Sequence, residues 1–281
     1  MRPLALALLA TLLASPALAQ GFGLAAGSSD QPLQVDADQG IEWRRDQSVY
    51  VARGNAKATR GPVSVHADTL TARYRDKKGG GSEIYQLEAE GNVRIVSTNE
   101  TAYADRAVYD GDQNVLVLTG KDLKLVTRTD TITARDSLEY WENRQLAVAR
   151  GNATAVREDK KIRADVLSAQ LFEGPNKEMK LRRVYAFGNV DMRNDQDVAS
   201  GEKGVYLAEQ SKATLIGNVR ITRGQNQLNG EIAEIDLNTG VSRLLTGQQG
   251  NARVRALMVP NQQPQQPAKQ SAPAAAGKTG G

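Results

Sequence analysis

The 281 residues contain one imidazole, His66, and no cysteine. That removes disulfide frameworks, Cys/His zinc sites and cysteine nucleophiles, and leaves acid–base chemistry to carboxylates. His66 sits in Val65-His66-Ala67-Asp68, whose counterpart Ile162-Arg163-Ala164-Asp165 carries arginine at the same place. A position that accepts a permanent cation reads as solvated and outward, not as a general base. Asp68, Asp105 and Asp165 recur at one structural place, and aspartate favours corners because its carboxylate accepts from nearby backbone amides. Asp110-Gly111-Asp112-Gln113-Asn114 starts like a calcium loop, but Lys121 stands where the bidentate glutamate belongs, so it reads as a hairpin turn. Gly277-Lys278-Thr279 ends like a phosphate loop, with Ala272 in place of the first glycine and no helix to follow. No catalytic residue, metal ligand or cofactor is expected.

The ends bound what remains. Residues 1–19 read as a secretory signal peptide: one positive charge, an apolar run from Leu4 to Leu13, and Ala17-Leu18-Ala19 before Gln20. Residues 20–29 read as a short linker and 30–259 as one domain. Residues 260–281 contain no large apolar side chain and read as a disordered tail. Setting aside Arg2, Lys269 and Lys278 reduces 36 basic residues to 33, against 32 acidic. A body so close to neutral gives no basic groove for nucleic acid.

The elements that must carry any function repeat. Gly followed by Asn or Lys recurs at Gly54, Gly91, Gly120, Gly151, Gly188, Gly217 and Gly250. The first three glycines reappear 97 residues later as the next three, since Gly54, Gly91 and Gly120 shift onto Gly151, Gly188 and Gly217. Around them apolar residues alternate with polar ones, as in Val93-Arg94-Ile95 and Val219-Arg220-Ile221, the period of a half-buried strand. The other strand of each unit slips parity, with Val65 and Ala67 followed by Leu70 and Ala72, which marks a bulge or corner. Seven two-strand units give about fourteen strands, too many for a flat open sheet. The fold class predicted is all-β, a stack that curls or folds over.

Such a stack has an interior, filled or hollow. Alanines at Ala52, Ala56, Ala58, Ala89, Ala147, Ala149, Ala153 and Ala186 make the inward stripe light and favour space between layers. Periodicity alone leaves both readings open.

Gln31-Pro32-Leu33-Gln34-Val35-Asp36-Ala37-Asp38, the iterated Gly-Asn strand, the apolar-x-Ala-Asp element and Ala256-Leu257-Met258-Val259-Pro260 resemble the LptA/OstA family of periplasmic lipopolysaccharide-transport bridge proteins. The resemblance runs from about Asp30 to Pro260. It implies a folded-over antiparallel β-jellyroll, or β-taco, binding lipopolysaccharide acyl chains between its layers. It also implies head-to-tail stacking from an inner-membrane transport complex to an outer-membrane translocon, in the periplasm. The partners expected are therefore lipopolysaccharide, those two complexes and further copies of the chain. This body is longer than a typical member's, in keeping with the 97-residue duplication.

On this reading the groove lining is Val35, Trp43, Val93, Ile95, Leu116, Leu118, Ile132, Leu138, Tyr140, Val184, Val190, Met192, Leu215, Val219, Ile221 and Val254. Leu33, Val35, Ala37, Val254, Leu257 and Val259 lie on the edges expected to join copies, because an unpaired edge strand can accept another strand. Trp43, Tyr140 and Trp141 read equally as lipid contacts or core, with Trp141 facing away from the other two. Arg44, Arg45, Arg53 and Arg150 read as phosphate contacts at the rim or as a solvated face. Two other classes compete: an exported β-solenoid acting on polysaccharide, and a structural filament or adhesin with a filled interior. The first needs clustered carboxylates, and these are scattered at turns.

Overall fold

A computed structural model describes residues 32–77, 80–175, 179–236, 238–239, 241–247 and 253–259. The segments expected to be signal peptide, linker and C-terminal tail, and Gly250-Asn251, lie outside them. Eighteen strands run in chain order: β1 (Gln34–Asp36), β2 (Ile41–Arg44), β3 (Val49–Arg60), β4 (Val63–Asp76), β5 (Ser82–Val96) and β6 (Thr101–Asp110). Next come β7 (Val115–Thr119), β8 (Leu123–Val126), β9 (Thr131–Ala134), β10 (Ser137–Trp141), β11 (Leu146–Arg157) and β12 (Lys160–Glu173). The last are β13 (Met179–Arg193), β14 (Asp197–Leu207), β15 (Lys212–Arg223), β16 (Asn226–Asp236), β17 (Ser242–Leu245) and β18 (Arg255–Leu257).

Every pairing is antiparallel, and the pairings resolve the eighteen strands into fourteen rungs. Ten rungs are single continuous strands. Four are split in two: β1 with β2 against β3, β7 with β8 against β6, β9 with β10 against β11, and β17 with β18 against β16. The repeat predicts about fourteen strands; the structure has eighteen, because four of the fourteen rungs break in two.

Each rung bends once. In β3 the register shifts between Arg53 and Ala56, and in β5 between Glu90 and Val93, in both cases at the Gly-Asn pair. Five such pairs put two consecutive residues in the left-handed region, for example Gly91 at φ 76° and Asn92 at φ 48°. The bend turns the strand into the other layer. An upper limb (β2, β7, β10, β17 and half of each long strand) thus faces a lower limb (β1, β8, β9, β18 and the other halves). Each corner is tied to its neighbour: Asn55, Asn92 and Asn189 donate to Asp38, Asp68 and Asp165 at 2.8, 2.9 and 2.9 Å. Asp105 accepts the Lys121 amide at 2.9 Å. The apolar-x-Ala-Asp carboxylates are corner residues, as expected. Asp110 likewise accepts the amides of Asp112 and Gln113 in a hairpin turn.

The buried core runs between the limbs as one cluster from Val63 to Ile235. The result is an all-β, folded-over antiparallel jellyroll with internal duplication.

Candidate functional site: two cavities between the limbs

The interior is not one continuous trough. Among the described residues it opens into two carbon-lined cavities that communicate with solvent, and a further opening lies at the C-terminal edge beside Ile221, Leu228, Leu257 and Val259. The first, of about 160 Å³, draws Leu33, Val35, Ala58, Val65 and Ile95 from the lower limb and Ile41, Tyr50, Ala52, Leu70, Ala72, Ile84, Leu87 and Ala89 from the upper. The second, of about 120 Å³, lies between Ile132, Ala155 and Ile162 below and Leu138, Ala147, Ala149, Leu167, Ala169, Leu181 and Val184 above. Twelve of the sixteen residues lining the second cavity stand 97 positions after a residue lining the first, as Ile132 follows Val35 and Leu167 follows Leu70. Alanine pairs such as Ala52/Ala149 and Ala58/Ala155 leave the space that longer side chains would fill.

The sixth rung divides the two. Leu116 of β7 faces the first cavity and Leu125, in β8, the second, while Leu118 and Leu123 between them are buried. Beyond the second cavity Val190, Met192, Leu215 and Val219 pack with almost no exposed surface. Gly204 contributes to that solidity, because Leu215 Cδ2 comes within 3.5 Å of where its Cβ would be.

Polar groups gather where the limbs meet opposite the corners. Tyr109 and Tyr206, 97 residues apart, both have hydroxyls raised in pKa by burial, Tyr109 further by Glu142, with Arg60 and Arg157 respectively opposing only part of the rise. Those arginines are also 97 residues apart. Tyr140 is pushed up to about 12, by burial first and then by the charges of Glu142 and Glu100. Glu142 is itself raised by burial, and accepts from the Tyr109 hydroxyl at 3.4 Å. At the mouth of the second cavity Arg157 grips Asp130 through Nε and Nη2, both at 2.6 Å, with each side chain about 10% exposed. Leu33 stands at the equivalent place in the first cavity. On the outer side Glu139 is held below its ordinary range: burial alone would raise it, but hydrogen bonds from Arg150, Ser137 and Trp141 outweigh that.

Of the sixteen residues expected to line a groove, Val35, Ile95 and Leu116 line the first cavity, and Ile132, Leu138 and Val184 the second. Val93, Leu118, Val190, Met192, Leu215 and Val219 are placed in packed core. Ile221 is buried beside the C-terminal edge, near Leu257 and Val259. Tyr140 is half-buried against the core. Trp43, 49% exposed, stacks on Tyr50 at 5.5 Å beside the first cavity, and its indole N–H donates to the Tyr74 hydroxyl. Val254 is 41% exposed and lies just before β18, away from both cavities.

The sequence reading missed Leu70, Ala72, Ile84 and Leu87 of the first cavity and Leu167, Ala169 and Leu181 of the second, all on the upper limb. Their signal is the 97-residue match. His66 is on the outer face beside Ser64, and burial, then Arg94 and Lys57, lower its pKa. Arg44 and Arg53 pair with Glu42, Arg150 with Glu139, and Arg45 lies 3.9 Å over Trp43. Among the described residues no group of three His, Asp or Glu is placed to hold a metal ion.

Fold and interior together define an all-β jellyroll whose distinctive feature is enclosed apolar space. The family model described as "LptA/(LptD N-terminal domain) LPS transport protein" matches twice, at residues 34–136 and 131–241. The chain belongs to that family, whose members are transport proteins and not enzymes. The two matches begin 97 residues apart, at 34 and 131, and so coincide with the internal repeat. No curated protein matches the chain. Among solved structures it is similar to LptH from Pseudomonas aeruginosa, titled "the LptA homologous periplasmic component of the conserved lipopolysaccharide transport device". That likeness is 14% identity over 82% of this chain and 96% of that one, with a TM-score of 0.22.

Proposed function

We propose that this chain is a periplasmic carrier that seats lipopolysaccharide acyl chains between its limbs and hands the lipid from inner to outer membrane. Family membership supports the lipid class. One observation carries the mode of binding: cavities walled by aliphatic carbon and open to solvent. A tail of about twelve carbons exposed to water costs roughly 9–10 kcal/mol at about 0.8 kcal/mol per methylene. A carbon-lined cavity relieves that cost without directional bonds, so the tail can leave as it entered. An engineered apolar cavity of about 150 Å³ stays dry and accepts benzene. Cavities of about 160 and 120 Å³ therefore suit a stretch of acyl chain, with the sugar and phosphates outside.

The proposed partners follow from the two ends. β1 and β2 pair with β3 alone, and β17 and β18 with β16 alone, so among the described residues both end rungs present a free edge. Strand addition there would join copies head to tail and dock the inner- and outer-membrane complexes. The test is a photo-crosslinking amino acid at Leu70 or Leu167 in cells, followed by depletion. Lipopolysaccharide adducts at both positions, and lipopolysaccharide held at the inner membrane on depletion, are expected. Normal surface delivery without the protein would overturn the reading.

A further inference from the structure

We infer that the chain is a two-station carrier: each 97-residue module seats an acyl chain in its own cavity, and both can be filled at once. The inference rests on the carrier reading but goes beyond it, since that reading needs only one place to hold a tail.

Three observations lead there. Most of the lining is equivalent between the two cavities: Val35, Ala52, Leu70 and Ala72 of one are Ile132, Ala149, Leu167 and Ala169 of the other. A wall separates them, with Leu118 and Leu123 buried in the sixth rung. The spacing is also too long for one tail. Equivalent points lie six rungs apart, and at about 4.8 Å per rung that is about 29 Å. An acyl chain spans one leaflet, half of a hydrocarbon core about 30 Å thick, or roughly 15 Å. A tail in one station thus cannot reach the matching point of the next. A single duplicated chain would then do what two single-module copies do, with its internal joint made by covalent continuity through β7–β10 instead of by edge pairing. The two mouths differ: Leu33 flanks one, and the Asp130–Arg157 pair flanks the other.

The test uses the mature full-length chain and rough, short-glycan lipopolysaccharide as the probe. Ala72→Phe plugs the first station and Ala169→Phe the second; both positions are partly exposed, so the added ring has room to yield. Native mass spectrometry is expected to count two lipids on the wild type, one on each single variant and none on the double variant. A crosslinker at Leu70 should lose its adduct with A72F and keep it with A169F, and one at Leu167 the reverse. If thermal melting shows that either phenylalanine unfolds the chain, Ala58→Leu and Ala155→Leu plug the same cavities with smaller side chains. One lipid on the wild type, or a single plug that abolishes all binding, would overturn the two stations and leave the carrier intact. No lipid on the wild type and no adduct at either position would instead overturn the carrier reading itself.

Discussion

Gly91 shows what one backbone atom contributes to a rung that must turn through the fold. Its φ of 76° is one that side-chain-bearing residues rarely adopt, and an added Cβ would lie 2.2 Å from Asp68 Oδ2 and 3.0 Å from Asp68 Cβ. Moving the carboxylate tip relieves the first clash but not the second. Gly188 meets Asp165 in the same way. Strain at a special φ costs about 1–3 kcal/mol, so Gly91→Ala and Gly188→Ala should each lower stability by at least that much, and by similar amounts. Urea midpoints measure this. Asp68→Ala in the Gly91→Ala background should recover part of the loss, because it removes the clash with the carboxylate but neither the 3.0 Å contact with the Cβ of residue 68 nor the strain. The glycine and the aspartate were both legible in the sequence as corner residues. That Asn92 donates to Asp68 was not, since the two are joined only once neighbouring rungs are in register.

At the scale of elements, the clearest asymmetry between modules is the ion pair that joins β11 to the residue before β9. Asp130 and Arg157 are nearly buried and doubly bonded, while the first module carries Leu33 at the position equivalent to Asp130. A buried pair is poor evidence of net stability, because desolvation offsets the attraction, but breaking one costs about 3–5 kcal/mol through the orphaned charge. Asp130→Leu alone should therefore cost several kcal/mol in urea unfolding. The double variant Asp130→Leu/Arg157→Met should be clearly more stable than that single variant. A double variant no better than the single would show that Arg157's other contacts dominate. Strand type and rung number were readable here because a period of two is local. Hollow and filled stretches were not, since alanine occurs in both. Ala52, Ala58 and Ala149 line cavities, whereas Ala56, Ala153 and Ala186 are packed out by what faces them from the opposite limb. That opposition is set by the fold, not by neighbours in the chain. It also explains why Val93, Val190 and Val219, with the same alternation as the residues lining the cavities, are buried in packed core.

At the scale of the whole molecule, exposed apolar surface gathers at the ends of the stack. Leu257 is 60% exposed and Met258 69%, beside the free edge of β18, while Ile41 and Trp43 stand exposed on β2 at the other end. Surface of this kind on an unpaired edge is normally a hazard that charged residues suppress. The proposed head-to-tail joint makes it an asset, provided another copy covers it. Burying a large apolar side chain contributes about 1.5–3 kcal/mol. Replacing two with charged ones, Leu257→Lys and Met258→Glu, should then weaken self-association by about 3 kcal/mol or more, at least ~100-fold. The single chain's unfolding midpoint should hardly move, because both side chains are solvated in it already. Sedimentation across a concentration series reads the association and urea unfolding the control. If the association constant of the doubly substituted chain matches the wild type's while its fold is intact, copies do not join through this edge. Longer bridges would then need a different contact, and the covalent joint between the two modules would be the only one of its kind in the assembly.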